Sequence, residues 1–79
     1  MSETTSKKVR LIISDVAEME IEQIDFNSDL IDDLGIDSMM TLEIVTELER
    51  TFHIKLEEEE LQDITDVNSV IEVVSKKIK

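Results

Sequence analysis

Three stretches of the chain place apolar residues at helical spacing: Val9, Ile12, Ile13 and Val16; Leu42, Val45, Leu48 and Phe52; and Val67, Val70, Ile71, Val74 and Ile78. Residues spaced this way fall on one stripe of a helix and demand partners for that stripe. No proline breaks any of the three. Strand-like alternation is confined to Phe52–Leu56, too short and too isolated to build a sheet. With 79 residues the chain has material for one small domain. The pattern predicts an all-α fold: a four-helix bundle with a short third helix and a long loop between helices one and two.

The element boundaries follow from local signals. Met1–Ser6 reads as a polar tail that frays, leaving a single domain over 7–79. The first helix is expected over Lys7–Glu18. Glu20–Asp37 keeps no sustained period and is expected to be a long connection with a brief helical turn, pinned to the core by Ile21, Ile24, Phe26, Leu30, Ile31 and Leu34. The second helix is expected over Ser38–Thr51 and a short third one over Glu57–Asp63. Asp66 is placed to cap the fourth, whose last turns carry bases that complement the helix dipole.

Charge narrows the partners. The formal net charge is −12, and of the residues from Leu11 to Asp66, 18 are acidic and two are basic, Arg50 and Lys55. A body this acidic repels nucleic acid and anionic membranes and is steered toward basic protein surfaces. No apolar run reaches membrane-spanning length, and the N-terminus has no signal-peptide core, so a cytoplasmic monomer without stable membrane insertion is expected. The chain has no cysteine, which excludes disulfides, zinc–thiolate sites and a cysteine nucleophile.

The densest cluster of chemistry is Asp32-Asp33-Leu34-Gly35-Ile36-Asp37-Ser38-Met39-Met40, which holds the only glycine. Gly35 is free to adopt positive φ and turn the loop. Asp37 and Ser38 are both good N-cap residues directly before an apolar-periodic run. Ser38 therefore sits at a loop-to-helix junction whose backbone N–H groups favour an anionic group. On these residues alone, helix capping is the stronger explanation of the serine.

The word Asp33–Met39 closely resembles the attachment motif of acyl carrier proteins, and the resemblance extends along nearly the whole chain. Leu30–Gly35 is similar to that family's loop before the attachment serine. Leu42–Val45 is similar to its recognition helix, Leu48–Phe52 to the acidic end of that helix, and Glu57–Glu59 and Ile64–Val67 to its third helix and the start of its fourth. The resemblance implies that Ser38 bears 4′-phosphopantetheine through a phosphodiester, with Gly35 and Asp37 shaping the attachment site. A separate phosphopantetheinyl transferase would install the arm, which accounts for the lack of a His or Lys partner beside Ser38. The protein would be a non-catalytic carrier, delivering acyl thioesters to enzymes of fatty acid, polyketide or related lipid and secondary-metabolite synthesis. Asp37, Met40, Glu43 and Glu47 are expected to face basic docking surfaces, with Met39 or Leu42 left to fill the core. Leu30, Val45, Leu48, Leu56, Leu61, Ile64 and Val70 are candidates for an acyl pocket.

Other constellations are weaker. Asp25–Asp29 matches the start of an EF-hand loop, but its glycine position is Leu30 and its bidentate glutamate position is Ile36, so no metal site is expected. His53, the only histidine, falls at the end of the second helix, where a surface or capping role is expected. The chain is too short for a usual Ser-His-Asp hydrolase scaffold. Three departures from the family pattern stand out. Met39-Met40 replaces a common Leu-Asp, Glu57 replaces a common proline, and Leu61 and Val70 stand where small residues often line the acyl cavity. They leave the carrier reading intact and set a specialised carrier at least level with a housekeeping fatty acid one. The alternative reading is a small acidic interaction module with the carrier fold and no arm.

Overall fold

The computed structural model describes residues 3–78. Within them the order is α1 (Glu3–Ala17), a 3₁₀ turn (Ile21–Gln23), α2 (Ser38–Phe52), α3 (Glu58–Gln62) and α4 (Val67–Lys77). Among the described residues there is no strand, and the only ladder pairing is an isolated bridge between Asp29 and Asp66. The all-α architecture with a short third helix and a long first loop is as expected.

The helix α1 packs on both α2 and α4. Val9 and Ile13 are fully buried, with Ile12 and Val16 packed at the edge of the core. The start differs from the sequence expectation. The helix begins at Glu3, not Lys7, so residues 3–6 are helical, and Thr5 is buried. Met1 and Ser2, the rest of that expected tail, lie outside the described residues. A threonine can sit in a core provided its hydroxyl finds a partner, and a polarity count overlooks that case.

Caps fix the later helices. The Asp37 carboxylate (Oδ1) accepts the N–H of Met40 at 2.9 Å, and α2 starts where the sequence placed it. Asp66 Oδ1 accepts the N–H of Ser69 at 2.8 Å, while Ser69 Oγ accepts the N–H of Asp66 at 2.9 Å. This reciprocal box launches α4. Val67, Val70, Ile71, Val73 and Val74 are buried, whereas Ile78, expected on the same face, is exposed just past the helix. Glu57 N–H donates to Glu60 Oε1 at 2.8 Å, starting α3 without the proline common at that position.

Both long helices end on residues with left-handed backbone that are not glycine. Glu18 has φ 56° and His53 has φ 57°. Met19 N–H reaches Ser14 O at 3.0 Å and Ile54 N–H reaches Glu49 O at 3.2 Å, the long closing bond of a Schellman turn. Glu49 does a second job there. Its carboxylate (Oε2) accepts the N–H of Leu56 at 2.8 Å and ties the α2–α3 connector to the helix.

The loop between α1 and α2 is ordered by bonds the sequence did not reveal. Arg10 donates from its guanidinium to the carbonyls of Ile21 (3.2 Å) and Ile24 (3.1 Å), and it lies 5.2 Å from the centroid of the Phe26 ring. Leu30 N–H donates to Thr65 O (3.1 Å), Val67 N–H to Ser28 O (3.2 Å) and Asn68 N–H to Phe26 O (2.9 Å). The loop is thus zipped to the start of α4. Ile24, Leu30 and Leu34 are buried, as expected of pinning residues. Phe26 and Ile31 are exposed, and Ile36, which the sequence reading passed over, is fully buried in their place.

Candidate functional site

The approach to Ser38 is built by Asp29 and Gly35. Asp29 Oδ1 accepts the N–H groups of Ile31 (3.0 Å) and Asp32 (2.9 Å), and Asp29 N–H donates to Asp33 Oδ2 at 2.7 Å. These bonds wind residues 29–34 into one helical turn. Gly35 ends it at φ 67°, with its N–H on Ile31 O at 3.1 Å. No neighbouring atom crowds the position a Cβ would take, so what selects glycine here is backbone conformation and not space. Ile36 then drops into the core, its N–H on Leu30 O at 2.9 Å, and holds the chain as it enters α2.

Asp37, and not Ser38, is the cap. Besides holding the Met40 N–H with its carboxylate, Asp37 accepts Thr41 Oγ1 at 2.9 Å and Thr41 N–H at 2.9 Å on its carbonyl oxygen. Ser38 is the first helical residue, it is exposed, and among the described residues its hydroxyl has no hydrogen-bond partner. The capping explanation for this serine is therefore taken up by its neighbour. His53 ends the same helix, about 22 Å away by helical rise. Among the described residues, the lining of the hollow at Ser38 includes no histidine and no lysine.

Ser38 and Asp37 lie on the rim of a hollow of about 550 Å³. Its walls are mainly apolar: Ile31, Ile36, Leu42 and Ile64, with Thr41. A smaller one of about 140 Å³, lined in part by Leu30, Ile31, Ile64 and Thr65, adjoins it through shared residues. Of the expected acyl-pocket residues, Leu30 and Ile64 thus face surface hollows near Ser38. Val45, Leu48, Leu56 and Val70 are core residues, and Leu61 packs at the core edge. A free hydroxyl on a helix start, beside an apolar recess, fits attachment of a phosphate-linked flexible chain.

The acidic face of α2 is modified by what the structure shows. Glu43 is exposed, whereas Glu47 is 3.3 Å from the Arg50 guanidinium and so partly compensated. The two methionines take opposite places from those expected. Met40 is partly buried against the core, while Met39 is 74% exposed and Leu42 is 62% exposed. Met40 lies four residues before the buried Ile44, on the same helical stripe. That spacing was available in the sequence. Neither Met39 nor Leu42 fills the core.

No helix among the described residues is long and apolar enough to cross a membrane, and no group of three or more His, Cys, Asp or Glu residues there is arranged to hold a metal ion. At the surface between α3 and α4, the N–H of Glu57 and then the Lys77 ammonium, 2.9 Å away, hold the Glu60 carboxyl below the ordinary glutamate range.

Comparison with known proteins gives these features a context. The family model described as "Phosphopantetheine attachment site" matches residues 7–74. "Polyketide-8 synthase acyl carrier protein 2" of Streptomyces avermitilis is 31% identical, with 99% of this chain and 95% of that protein covered. The non-reducing polyketide synthase dbaI of Emericella nidulans is 38% identical over 90% of this chain, a span that makes up 3% of that much longer protein. Among solved structures, Rv0033 of Mycobacterium tuberculosis, described as an acyl carrier protein, superposes with a TM-score of 0.86 at 29% identity, covering 91% of this chain and 96% of that one. The apo doublet acyl carrier protein from prodigiosin biosynthesis has the same fold, with a TM-score of 0.81 at 24% identity over 95% of this chain and 36% of its own. An exposed, unpartnered serine on a helix start has meaning only within a family, and the matches supply one: this chain belongs to the acyl carrier proteins, which bear covalent 4′-phosphopantetheine and serve a phosphopantetheinyl transferase and acyl-processing enzymes.

Proposed function

We propose that Ser38 is the residue that bears the arm and that the protein is a non-catalytic carrier of polyketide type. The observation that carries the assignment is the division of labour at the helix start. Asp37 performs the capping, which leaves the Ser38 hydroxyl exposed and, among the described residues, without a partner. The first turn of α2 offers the positive end of the helix dipole to a phosphodiester placed there. When bound, the arm supplies a terminal thiol that holds an acyl group as a thioester. Asp37 and Gly35 fix where Ser38 stands, and Ile36 anchors that junction to the core. Ile31, Leu42 and Ile64 offer an apolar wall beside it, from which water is displaced when an apolar chain lies there.

The polyketide assignment rests on the relatives: a carrier of nearly equal length is a polyketide synthase carrier, and the fungal match is a segment of a polyketide synthase. The protein is a monomer in this reading, because a net charge of −12 opposes self-association. Its partners approach with basic surfaces toward Asp37, Glu43 and Glu47. Met40, partly buried, contributes packing beneath that face, and Met39 presents the exposed thioether. Intact-mass measurement after incubation with a broad-specificity phosphopantetheinyl transferase and coenzyme A tests the assignment. Wild type gains one phosphopantetheinyl group, and Ser38→Ala, still folded by circular dichroism, gains none. Modification of Ser38→Ala, or none of wild type, overturns it and leaves an acidic interaction module without an arm.

A further inference from the structure

Leu42 stands between two hollows. One holds Ser38 on its rim; the other opens on the far side, between the C-terminal end of α1 and the first turns of α2. This second groove has a volume of about 510 Å³. Val16, Met39 and Leu42 give it an apolar lining, and Met39 and Leu42 are two of the most exposed large apolar side chains on the molecule. Every charged residue that lines it is acidic: Asp15 and Glu18 from the α1 side, Glu43 and Glu47 from α2. Only Glu47 has a cation beside it among the described residues. Glu18 stands there because the left-handed turn at φ 56° ends α1 at that point.

We infer that this α1–α2 groove is a docking site for the phosphopantetheinyl transferase, which inserts an apolar side chain flanked by arginine or lysine. The inference rests on the reading of Ser38 as the attachment residue. Any enzyme that reaches Ser38 must pass over Met39 and Leu42, and these two residues form the floor of the groove. An apolar floor ringed by four carboxylates matches an apolar anchor between cations and little else. A second copy of this chain is a poor occupant, because two bodies of charge −12 repel. An anionic lipid surface is repelled for the same reason. The consequence is that α1 takes part in recognition: Asp15 and Glu18 steer the partner although neither is on the helix that bears Ser38.

The test uses the full-length, isotope-labelled Ser38→Ala chain, which binds without turning over, titrated with the transferase in the presence of coenzyme A. Amide signals of Asp15, Val16 and Glu18 are expected to shift together with those of Met39–Glu47. The double variant Asp15→Lys/Glu18→Lys is expected to raise Kd by about tenfold, with the loss shrinking at high salt. Thr46→Trp changes no charge but fills the groove, since Thr46 is an exposed lining residue, and it is expected to raise Kd by about fivefold. Glu72→Lys, an exposed change on α4, controls for charge reversal away from the groove, at half the double variant's change in net charge, and leaves Kd within about twofold. Shifts confined to α2, an unchanged Kd for Thr46→Trp, or equal losses from Glu72→Lys and the double variant overturn the proposal. Attachment is read separately, by the mass of the wild type, so either reading can fail while the other stands.

Discussion

The α2 terminus allows a backbone term to be isolated at one residue. His53 sits at φ 57°, ψ 48°, the left-handed conformation, and its side chain is exposed. An L-residue pays about 1–2 kcal/mol there for the clash of its Cβ with the following carbonyl. Glycine escapes that cost but loses about 0.4–1 kcal/mol through its freer unfolded chain. The informative pair is His53→Gly against His53→Ala, because both delete the imidazole and they differ only at Cβ. The net difference is about 0.5–1 kcal/mol in favour of glycine, which for a domain of this size is about 2–8 °C in Tm. Thermal unfolding followed by far-ultraviolet circular dichroism measures it. Alanine equal to or better than glycine would refute the argument, because the left-handed turn would then carry no strain, or the helix would end elsewhere.

Three further outcomes follow from individual contacts. Glu49→Ala removes the acceptor of the partly buried Leu56 N–H and is expected to cost about 1–3 kcal/mol in urea unfolding, with Glu49→Gln recovering most of it. Among the described residues Ser75 Oγ is buried without a hydrogen-bond partner, so Ser75→Ala is expected to raise stability by about 0.5–1 kcal/mol, combining helix propensity with removal of an unsatisfied hydroxyl; a loss in the same urea assay counts against that view. The Glu60 carboxyl is held low, first by the Glu57 N–H and then by Lys77. A carboxyl lower in the folded than in the unfolded chain stabilises above its unfolded range and ceases to do so as pH falls through its folded one. The stability gap between wild type and Glu60→Gln should therefore narrow on acidification below the ordinary glutamate range; a gap that widens there contradicts the contact.

The fold was legible where side chains advertise backbone geometry. Asp37 and Asp66 placed the starts of α2 and α4 because a capping carboxylate is a local signal. The ends of α1 and α2 gave no such signal, since Glu18 and His53 occupy positions where glycine is usual. Within the long loop, a sequence with no period cannot say which apolar residues turn inward. In sequence Phe26 and Ile31 are indistinguishable from Ile24 and Leu30, and nothing local marks Ile36 as an inward residue. Arg10 read as one of several terminal bases, although its hydrogen bonds to Ile21 and Ile24 carbonyls hold the loop. At the site, the motif pointed to Ser38, but not to its release from capping by Asp37. The exchange of roles between Met39 and Met40 had a readable cause in the four-residue step from Met40 to Ile44. The α1 side of the groove was not readable at all, because helix crossing, not sequence proximity, brings Asp15 near Glu43.

The zipper between residues 26–30 and 65–68 gives the molecule an order of assembly. Its bonds join segments far apart along the chain, up to 42 positions in the case of Phe26 and Asn68. Closing so long a loop costs entropy before the bonds repay it, so this seam belongs to the late stage of folding. A ribosome delivers the N-terminal side first, so residues 26–30 are made before their partners at 65–68. The seam acts as a latch that reports completion: amides of Leu30 and Val67, on opposite sides of it, are expected to open to hydrogen exchange at one common rate in the finished protein. Unequal opening free energies at the two positions would mean that the loop can lift away while α4 stays in place, and that the junction before Ser38 is matured locally and not by the C-terminal helix.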